Sequence, residues 1–506
     1  MITGFVITGS NALANSVEVI GNLAGNATGG PYKVPLRLVY PTGASPVLNR
    51  TVIEVWNNSL VEQFGVVGTT IIDYAYLVLD VQRLVEGLGY SYVEHEWNKG
   101  LVDQQVATGI SNFHAAQTFG ALAFPFDPTW RISAGTDSYD IMADVSAFSR
   151  NPAAFASFGI LPPPPPSGKC FGFGGSQPAT LLRQYAMTLR NSTLGAALPN
   201  GLVYEGILAA LCGSQVRVMD NVAPAFYTAG RVDGATPSSE GVFINLSSES
   251  DLFLLQAIGA RANPTPAHYA FYEIAGVSHI SGNFGNFVRP VENTTVSAPF
   301  FKAMLENLRA KVDGAIGLPA SQALEGSAAT RTVPVFPGVA PLTGIPFSVG
   351  STVNTFIGVP SSDDGNFLGG IRPPHVQTRL NNGTCVGGPL GTYRGVLCLG
   401  LSYPDNTLPN AVQLTPSPLI LLEGTEPYLM LHGFFSAWDP SLIACRYKDA
   451  CDYVTFVEAG ANYALANRWI LPADRDAYVA EAATFTTQGL RNVGLRRKVP
   501  PNPPSF

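Results

Sequence analysis

Apolar and polar positions along this chain switch repeatedly between the period of a strand and the period of a helix. Ser16–Ala24 and Tyr32–Val39 alternate side chain by side chain, as half-buried antiparallel strands do. Thr51–Val55 is a short apolar run and reads as a buried strand. Tyr74–Glu86 is compatible with a helix, Tyr90–Glu94 with the next strand and Tyr139–Phe148 with the next helix. An apolar run from Cys170 ends in two glycines, and residues 179–190 then carry Leu181, Leu182, Tyr185 and Leu189 at helical spacing. Ile207–Leu211, Gly241–Leu246 and Ala270–Ile274 are three further strand-like runs. Phe300–Val312 sets Phe301, Met304, Leu305, Leu308 and Val312 on one helical face. Residues 330–440, rich in Gly, Pro, Thr and Asn, read as loops and short strands packed on the sheet, and Tyr453–Phe485 returns to helix. Strands alternating with helices predict an α/β fold with a mostly parallel sheet and helices on both faces. The prolines Pro162–Pro166 abut a predicted strand, so they read as a surface connection within one domain spanning 1–506. Its parts are N-terminal strands over 1–50, a core over 51–315 and a C-terminal region over 316–506. There is no internal repeat.

Composition narrows the class. Apolar residues make up 46% of the 506 and charged residues 13%, enough to bury a large core and too little charge for a disordered chain. A net charge of −7 gives no electrostatic basis for binding nucleic acid or an anionic membrane. The basic cluster Arg491–Lys498 reads as a solvated tail. No uninterrupted apolar stretch approaches the length of a membrane span. The six cysteines and the scattered His95, His114, His268, His375 and His432 lack the close pairing of metal ligands. An even cysteine count with Asn-x-Ser/Thr sequons at Asn26, Asn49, Asn57, Asn191, Asn245, Asn293 and Asn382 points to an oxidising, extracytoplasmic compartment and a glycoprotein. Asn245 lies in a predicted buried strand and is unsuited to a glycan. The start, Met1-Ile2-Thr3-Gly4, has no visible signal peptide. The expected disulfides are Cys385–Cys398, Cys445–Cys451 and Cys170–Cys212, with free thiols as the alternative.

The chemistry concentrates at Cys170-Phe171-Gly172-Phe173-Gly174-Gly175-Ser176-Gln177-Pro178. A strand, a glycine-bearing sharp turn, a serine at the apex and a helix behind it form the pattern of a nucleophile elbow. Pro178 departs from the usual glycine, yet a proline in a first helical turn loses only an N–H that had no intrahelical partner. A serine nucleophile needs a base, and the base needs an acid to hold its tautomer. Downstream, the strand Gly241–Leu246 runs into Ser247-Ser248-Glu249-Ser250-Asp251, and His268–Ala275 runs into Gly276-Val277-Ser278-His279. Serine, acid and histidine thus follow in the order Ser176, Asp251 or Glu249, His279 that one hydrolase fold uses. Asp251 is the first choice of acid from its distance past the strand, with Glu249 close behind. The oxyanion donors expected are the Gln177 amide and an amide within Trp56–Asn58 after the Thr51–Val55 strand, Trp56 and Asn57 foremost.

These motifs resemble the large alpha/beta-hydrolase-domain proteins of bacteria and fungi, and the resemblance runs almost end to end. Val52-Ile53-Glu54-Val55-Trp56-Asn57 is similar to that family's strand ending in Glu-Trp and Asn, and Asp137-Ser138-Tyr139-Asp140-Ile141 to its Ser-Tyr-Asp-Ile-Phe. Ser176 and Gln177 match its Gly-x-Ser-Gln-Ser-Gly, whereas Pro178 and Ala179 depart from it. Ser248-Glu249-Ser250-Asp251 resembles its Ser-Glu-Thr-Asp, and Glu273 to His279 its Glu-Val-Ala-Gly-Thr-x-His. Gly365-Asn366, Gly369-Gly370-Ile371-Arg372 and the stretch from Asp452-Tyr453-Val454 to Leu471-Pro472-Ala473-Asp474 also match. The resemblance implies an alpha/beta-hydrolase fold. With the triad it implies a serine hydrolase acting on a small-molecule carboxylic ester, with no cofactor and no metal. An amidase, lactonase or acyltransferase would use the same triad, and a hydrolase-fold binding protein without turnover is the alternative that Pro178 favours.

Other positions have two readings each. Glu54 could tune the base or make a structural hydrogen bond. Asp137 and Asp140 suit a helix start. Arg372 could bind a substrate carboxylate or form a structural ion pair. Gly365, Gly369 and Gly370 lack the surroundings of a phosphate loop.

Overall fold

The computed structural model describes residues 2–42, 50–56, 81–109, 124–160, 168–175, 177–211, 238–254, 267–277, 297–332, 352–361, 365–377, 391–394, 434–437 and 446–492, with 111, 122, 261, 389 and 443 standing singly. Nine strands form one sheet in the order β1-β2-β3-β5-β4-β6-β7-β8-β9. The first three, β1 (Ile2–Ala12), β2 (Ser16–Ala27) and β3 (Gly30–Pro41), make an antiparallel meander. β3 pairs antiparallel with β5 (Ser91–Glu96). From there β4 (Arg50–Trp56), β6 (Lys169–Gly175), β7 (Gly206–Ala210), β8 (Val242–Ser248) and β9 (Tyr269–Ile274) all run parallel. The apolar runs of the sequence became these central strands because a parallel strand is covered on both faces; every residue of β7 and β9 is buried.

Helices cover the sheet on both sides. A Cβ on Gly172 would press on Tyr204 and on Leu182 of α4 (Gln177–Met187), whereas the ring of Phe173 packs against Phe301 of α7 (Ala298–Val312). Adjacent strand residues point to opposite faces, so α4 and α7 lie on opposite sides. In chain order the remaining helices are α1 (Lys99–Thr108), α2 (Asp137–Ser149), α3 (Pro152–Ser157), α5 (Arg190–Gly195), α6 (Glu249–Leu254), α8 (Ala450–Ala466) and α9 (Pro472–Asn492). Of the predicted helix Tyr74–Glu86, only the end is described; it closes in a π turn at Arg83–Gly87. Among the described residues no helix is long and apolar enough to cross a membrane.

Several expectations change. The helix expected over Tyr453–Phe485 is two helices: Arg468 takes a left-handed φ of 61° between them, and Pro472 opens the second. β1 precedes the first expected strand. Its pairing with β2 carries irregularities at Ile2/Gly4 and Ile7/Gly9, and its less exposed positions beyond Ile7 are Gly9 and Asn11, so no apolar alternation marks it. Asp137 and Asp140 sit inside the first turn of α2 and accept amides from the β2–β3 turn, Gly29 to Asp137 at 2.7 Å and Thr28 to Asp140 at 2.6 Å. Asp137 also accepts from the Ala134 amide at 2.8 Å just before the helix, so it serves the helix start while both acids fasten the meander to it.

Two of the expected disulfides do not form: Cys170 and Cys451 carry free thiols. β6 and β7 are parallel with Gly175 opposite Ala210, so β7 leaves the sheet five residues beyond Cys170. At about 3.3 Å per residue that is roughly 17 Å, against the ~7 Å limit between the Cα atoms of a disulfide. Burial pushes the Cys170 thiol up to about 11. Cys451 is exposed on the first turn of α8. Cys385–Cys398 lies outside the described residues. The sequons at Asn191 and Asn245 are fully buried, and Asn191 bonds Tyr204 and Glu240 of its own fold.

Candidate active site

The direction of chain progress across the sheet reverses at the centre. From β4 the chain goes outward to β5, then returns past β4 to place β6 on its other side. At such a switch point the loops leaving the carboxyl ends of the two central strands diverge and open a crevice. Here the two strands are β4, ending at Trp56, and β6, ending at Gly175. Both ends carry expected site residues.

Only one residue, Ser176, separates the last residue of β6 from the first of α4. The turn is tight because Gly174 has no side chain: a Cβ there would stand 2.8 Å from the carbonyl carbon of Pro178 and 2.9 Å from the nitrogen of Ala179. Pro178 is buried in the first turn of α4, backed onto Gly174. The amide of Gln177 belongs to that first turn, whose N–H groups lack partners within the helix and carry the positive end of its dipole. Behind the elbow, Arg183 of α4 donates to Asn245 of β8 at 3.4 Å, and Asn245 to Ser247 at 3.0 Å, tying the helix to the strand that supplies the acids.

At the end of β8 both acidic candidates are fully buried on α6. The Asp251 carboxylate accepts from the Ser248 amide at 2.6 Å and from its hydroxyl at 2.9 Å. The Glu249 carboxylate accepts from the Gly276 amide at 2.8 Å, and the Glu249 amide donates to the Val277 carbonyl at 3.1 Å. Gly276 has φ 67° and turns the chain at the exit of β9.

The outer edge of β9 is bordered by two irregular segments. Gln322 accepts from the Glu273 amide and donates to the Phe271 carbonyl, and Ile371 accepts from the Ala275 amide and donates to the Glu273 carbonyl. Gly369 and Gly370, at φ 72° and 66°, let the second segment come close; a Cβ on Gly370 would stand 2.6 Å from the Glu273 carbonyl oxygen. Arg372 follows, buried, level with the chain leaving β9. Glu273 itself is clasped by Arg261 through two bonds of 2.6 Å and by the Leu324 amide at 2.7 Å; burial still pushes its carboxyl up. The paired glycines were the signal in the sequence for this edge, and they mark close backbone approach rather than phosphate binding.

Of the expected site residues, the structure therefore brings Glu249 and Asp251 to one edge of the sheet with the ends of β4, β6 and β9. Trp56 ends β4 and Gln177 begins α4. Ser176, Asn57 and His279 lie outside the described residues, as does the side chain of Glu54. Glu54 stands opposite Glu94 on β5, which accepts from Arg37 at 3.2 Å. Among the described residues no three His, Cys, Asp or Glu side chains gather as a metal site would require.

Comparison with known proteins bears on the fold. Solved structures that it resembles include a fungal esterase from Rhizomucor miehei, at 13% identity over 59% of this chain and 85% of that one, with a TM-score of 0.32. Another is a serine hydrolase without a lid from Xanthomonas campestris, at 11% identity over 53% and 88%, TM-score 0.27. A third is a glucuronoyl esterase from Teredinibacter turnerae, at 11% identity and TM-score 0.23, where the match covers 41% of this chain and 45% of that one. Such scores carry no argument about the fold or the activity of this chain. No curated protein matches the sequence. The alpha/beta hydrolase domain family, in contrast, matches residues 60–480, most of the sequence and all of the parallel strands from β5 to β9. With the sheet order, this establishes that the chain belongs to the alpha/beta hydrolase domain family.

Proposed function

We propose that the protein is a serine hydrolase that cleaves a carboxylic ester. The observation that carries the reading is the elbow: β6 gives way to α4 across the single residue Ser176, at the switch point, with Gly174 backed onto Pro178–Ala179. Such a turn leaves a serine hydroxyl at the apex of the sheet. In this reading His279 takes the Ser176 proton as the oxygen attacks the ester carbonyl. The same imidazole returns the proton to the leaving alcohol, and water then releases the acyl group in a second half-reaction. The oxyanion is held by the Gln177 amide and by an amide of the Trp56–Asn57 region, donors that are each worth about two to three orders of magnitude in rate. An acid from the β8–α6 corner orients the imidazole. Pro178, which had favoured an inactive protein, is accommodated by its burial against Gly174.

Labelling by a fluorophosphonate probe tests this. Wild type takes the label and Ser176→Ala does not. Folded wild type that stays unlabelled would leave the binding-protein reading in its place.

A further inference from the structure

The nine-stranded sheet ends in two unlike edges. At β9 the Glu273 and Ala275 amides donate to Gln322 and Ile371, so the two irregular segments close that side. At the other end stands β1, which pairs with β2 alone. Among the described residues no backbone bond reaches its outer side. Natural sheets guard such an edge with short strands, prolines, charged side chains or a covering segment, because its open N–H and C=O groups invite another strand. β1 is 11 residues long and holds no proline and no charged residue. The register irregularities at Ile2/Gly4 and Ile7/Gly9 are the guard it has, and pairing with β2 continues through both to Ala12. Val6, near its middle, is 60% exposed. We infer that a second copy of the chain docks on this edge, β1 antiparallel to β1 about a two-fold axis, so that two sheets become one. The inference stands whether or not the protein cleaves an ester.

The facing of the side chains favours a copy of the same strand. Residues paired directly across two strands share a face of the sheet. Val6 pairs with Asn22 and Gly9 with Ile20, on one face; Phe5 pairs with Leu23 and Ser10 with Val19, on the other. Laid against itself with the axis between Ile7 and Thr8, β1 sets Val6 opposite Gly9 of the second copy and Phe5 opposite Ser10. Each of these pairs keeps to one face. In an unbroken strand residues five apart would point to opposite faces; the irregularity at Ile7/Gly9 brings Phe5 and Ser10 to the same one. A Cβ on Gly9 would lie 3.1 Å from Ile20 and 3.6 Å from Leu122, so the exposed valine arrives at an apolar spot with no side chain of its own. Charge points the same way. The chain carries a net −7, which sets copies against one another where acidic faces meet, and β1 adds nothing to that repulsion. A contact one strand wide belongs with the small interfaces, below about 1,200 Å² in all. The dimer is therefore weak, assembled and lost with concentration.

The test is sedimentation velocity on the full chain from about 1 to 200 µM, since a small interface gives a dissociation constant in the micromolar range. Wild type is expected to pass from monomer toward dimer and to stop there, because a two-fold pair uses up both open edges. Thr8 is exposed and stands beside the axis, so Thr8→Lys sets two ammonium groups next to each other across the seam. This variant is expected to raise the dissociation constant about tenfold or more at low salt. Part of the loss is expected to return at about 0.5 M salt, where such repulsion is screened. A strand that had merely lost its shape would not recover. Val6→Lys, also at an exposed position of β1, carries the test if circular dichroism shows that the first variant does not fold. Wild type that stays monomeric across the range overturns the proposal and leaves the edge to a strand from a different protein. A dimer that forms equally well in the folded lysine variants overturns it too, by putting the contact on another face. So does a series of species growing beyond the dimer.

Discussion

A methyl group added at Gly174 would meet the backbone of Pro178 and Ala179 at 2.8 and 2.9 Å, while one added at Gly175 would meet nothing within 4 Å. The two glycines look alike in the sequence, yet only the first is pressed against the first turn of α4. Backbone atoms cannot swing aside as a flexible side chain can, so Gly174→Ala must push α4 away from β6. A displacement of about an ångström at the reacting centre costs roughly a hundredfold in rate. Gly174→Ala is therefore expected to label about a hundredfold more slowly than wild type with its circular dichroism intact, and Gly175→Ala to label within a few-fold. Equal rates for the two variants would mean that Gly174 plays no part in setting the elbow. Asp251 and Glu249 teach the same lesson: spacing in the sequence brings both to one corner, and only the structure shows that the first accepts from Ser248 and the second from Gly276.

One carboxylate ties the start of α9 to the core. Asp474 accepts from Lys302 of α7 at 2.9 Å and from Arg83 of the π turn at 2.6 Å, and it closes on the Leu471 amide before α9 at 3.3 Å. Asp474 and Lys302 are both buried, so removing the carboxylate charge breaks a buried ion pair; breaking such a pair costs on the order of 3 kcal/mol or more. Asp474→Asn is expected to lose about that much in urea denaturation, with labelling of the folded fraction unchanged. A loss under about 1 kcal/mol would place the clamp among ordinary surface pairs. The Leu-Pro-Ala-Asp motif was visible in the sequence, but its partners stand hundreds of residues away, so its purpose was not. The same limit applies to Asp137 and Asp140, whose amide donors lie on the β2–β3 turn. Elements whose character is local were legible. The buried runs that became β4, β6, β8 and β9, and the amphipathic stripe of α7, follow directly from apolar spacing. β1 is not legible in apolar spacing because its inward positions beyond Ile7 are Gly9 and Asn11, and the break between α8 and α9 is not because it turns on the left-handed Arg468.

For the molecule as a whole, acid stability turns on a group outside the site. His95 of β5 is fully buried; its Nδ1 lies 3.2 Å from the Glu96 carbonyl, and its Nε2 has no hydrogen-bond partner among the described residues. Burial holds its pKa down to about 4, against 6.5 for an exposed imidazole. Between those values the unfolded chain binds a proton that the native chain refuses. Stability contributed by the neutral ring is therefore complete above pH 6.5 and declines as the pH falls toward 4. The slope is about 1.4 kcal/mol per pH unit, and the full window amounts to roughly 3 kcal/mol. Carboxylates that lose their pairs on acidification add to the decline, so the histidine must be isolated by difference. His95→Gln removes the titration while keeping a polar side chain of similar length. It is expected to be less stable than wild type at pH 7.5 and to close the gap steadily between pH 6.5 and 4, measured by urea midpoints at half-unit steps. A gap that stays constant across that range would mean that His95 takes up its proton in the native state as readily as in the unfolded one. In that case the end of β5, beside the switch point, would have to admit water.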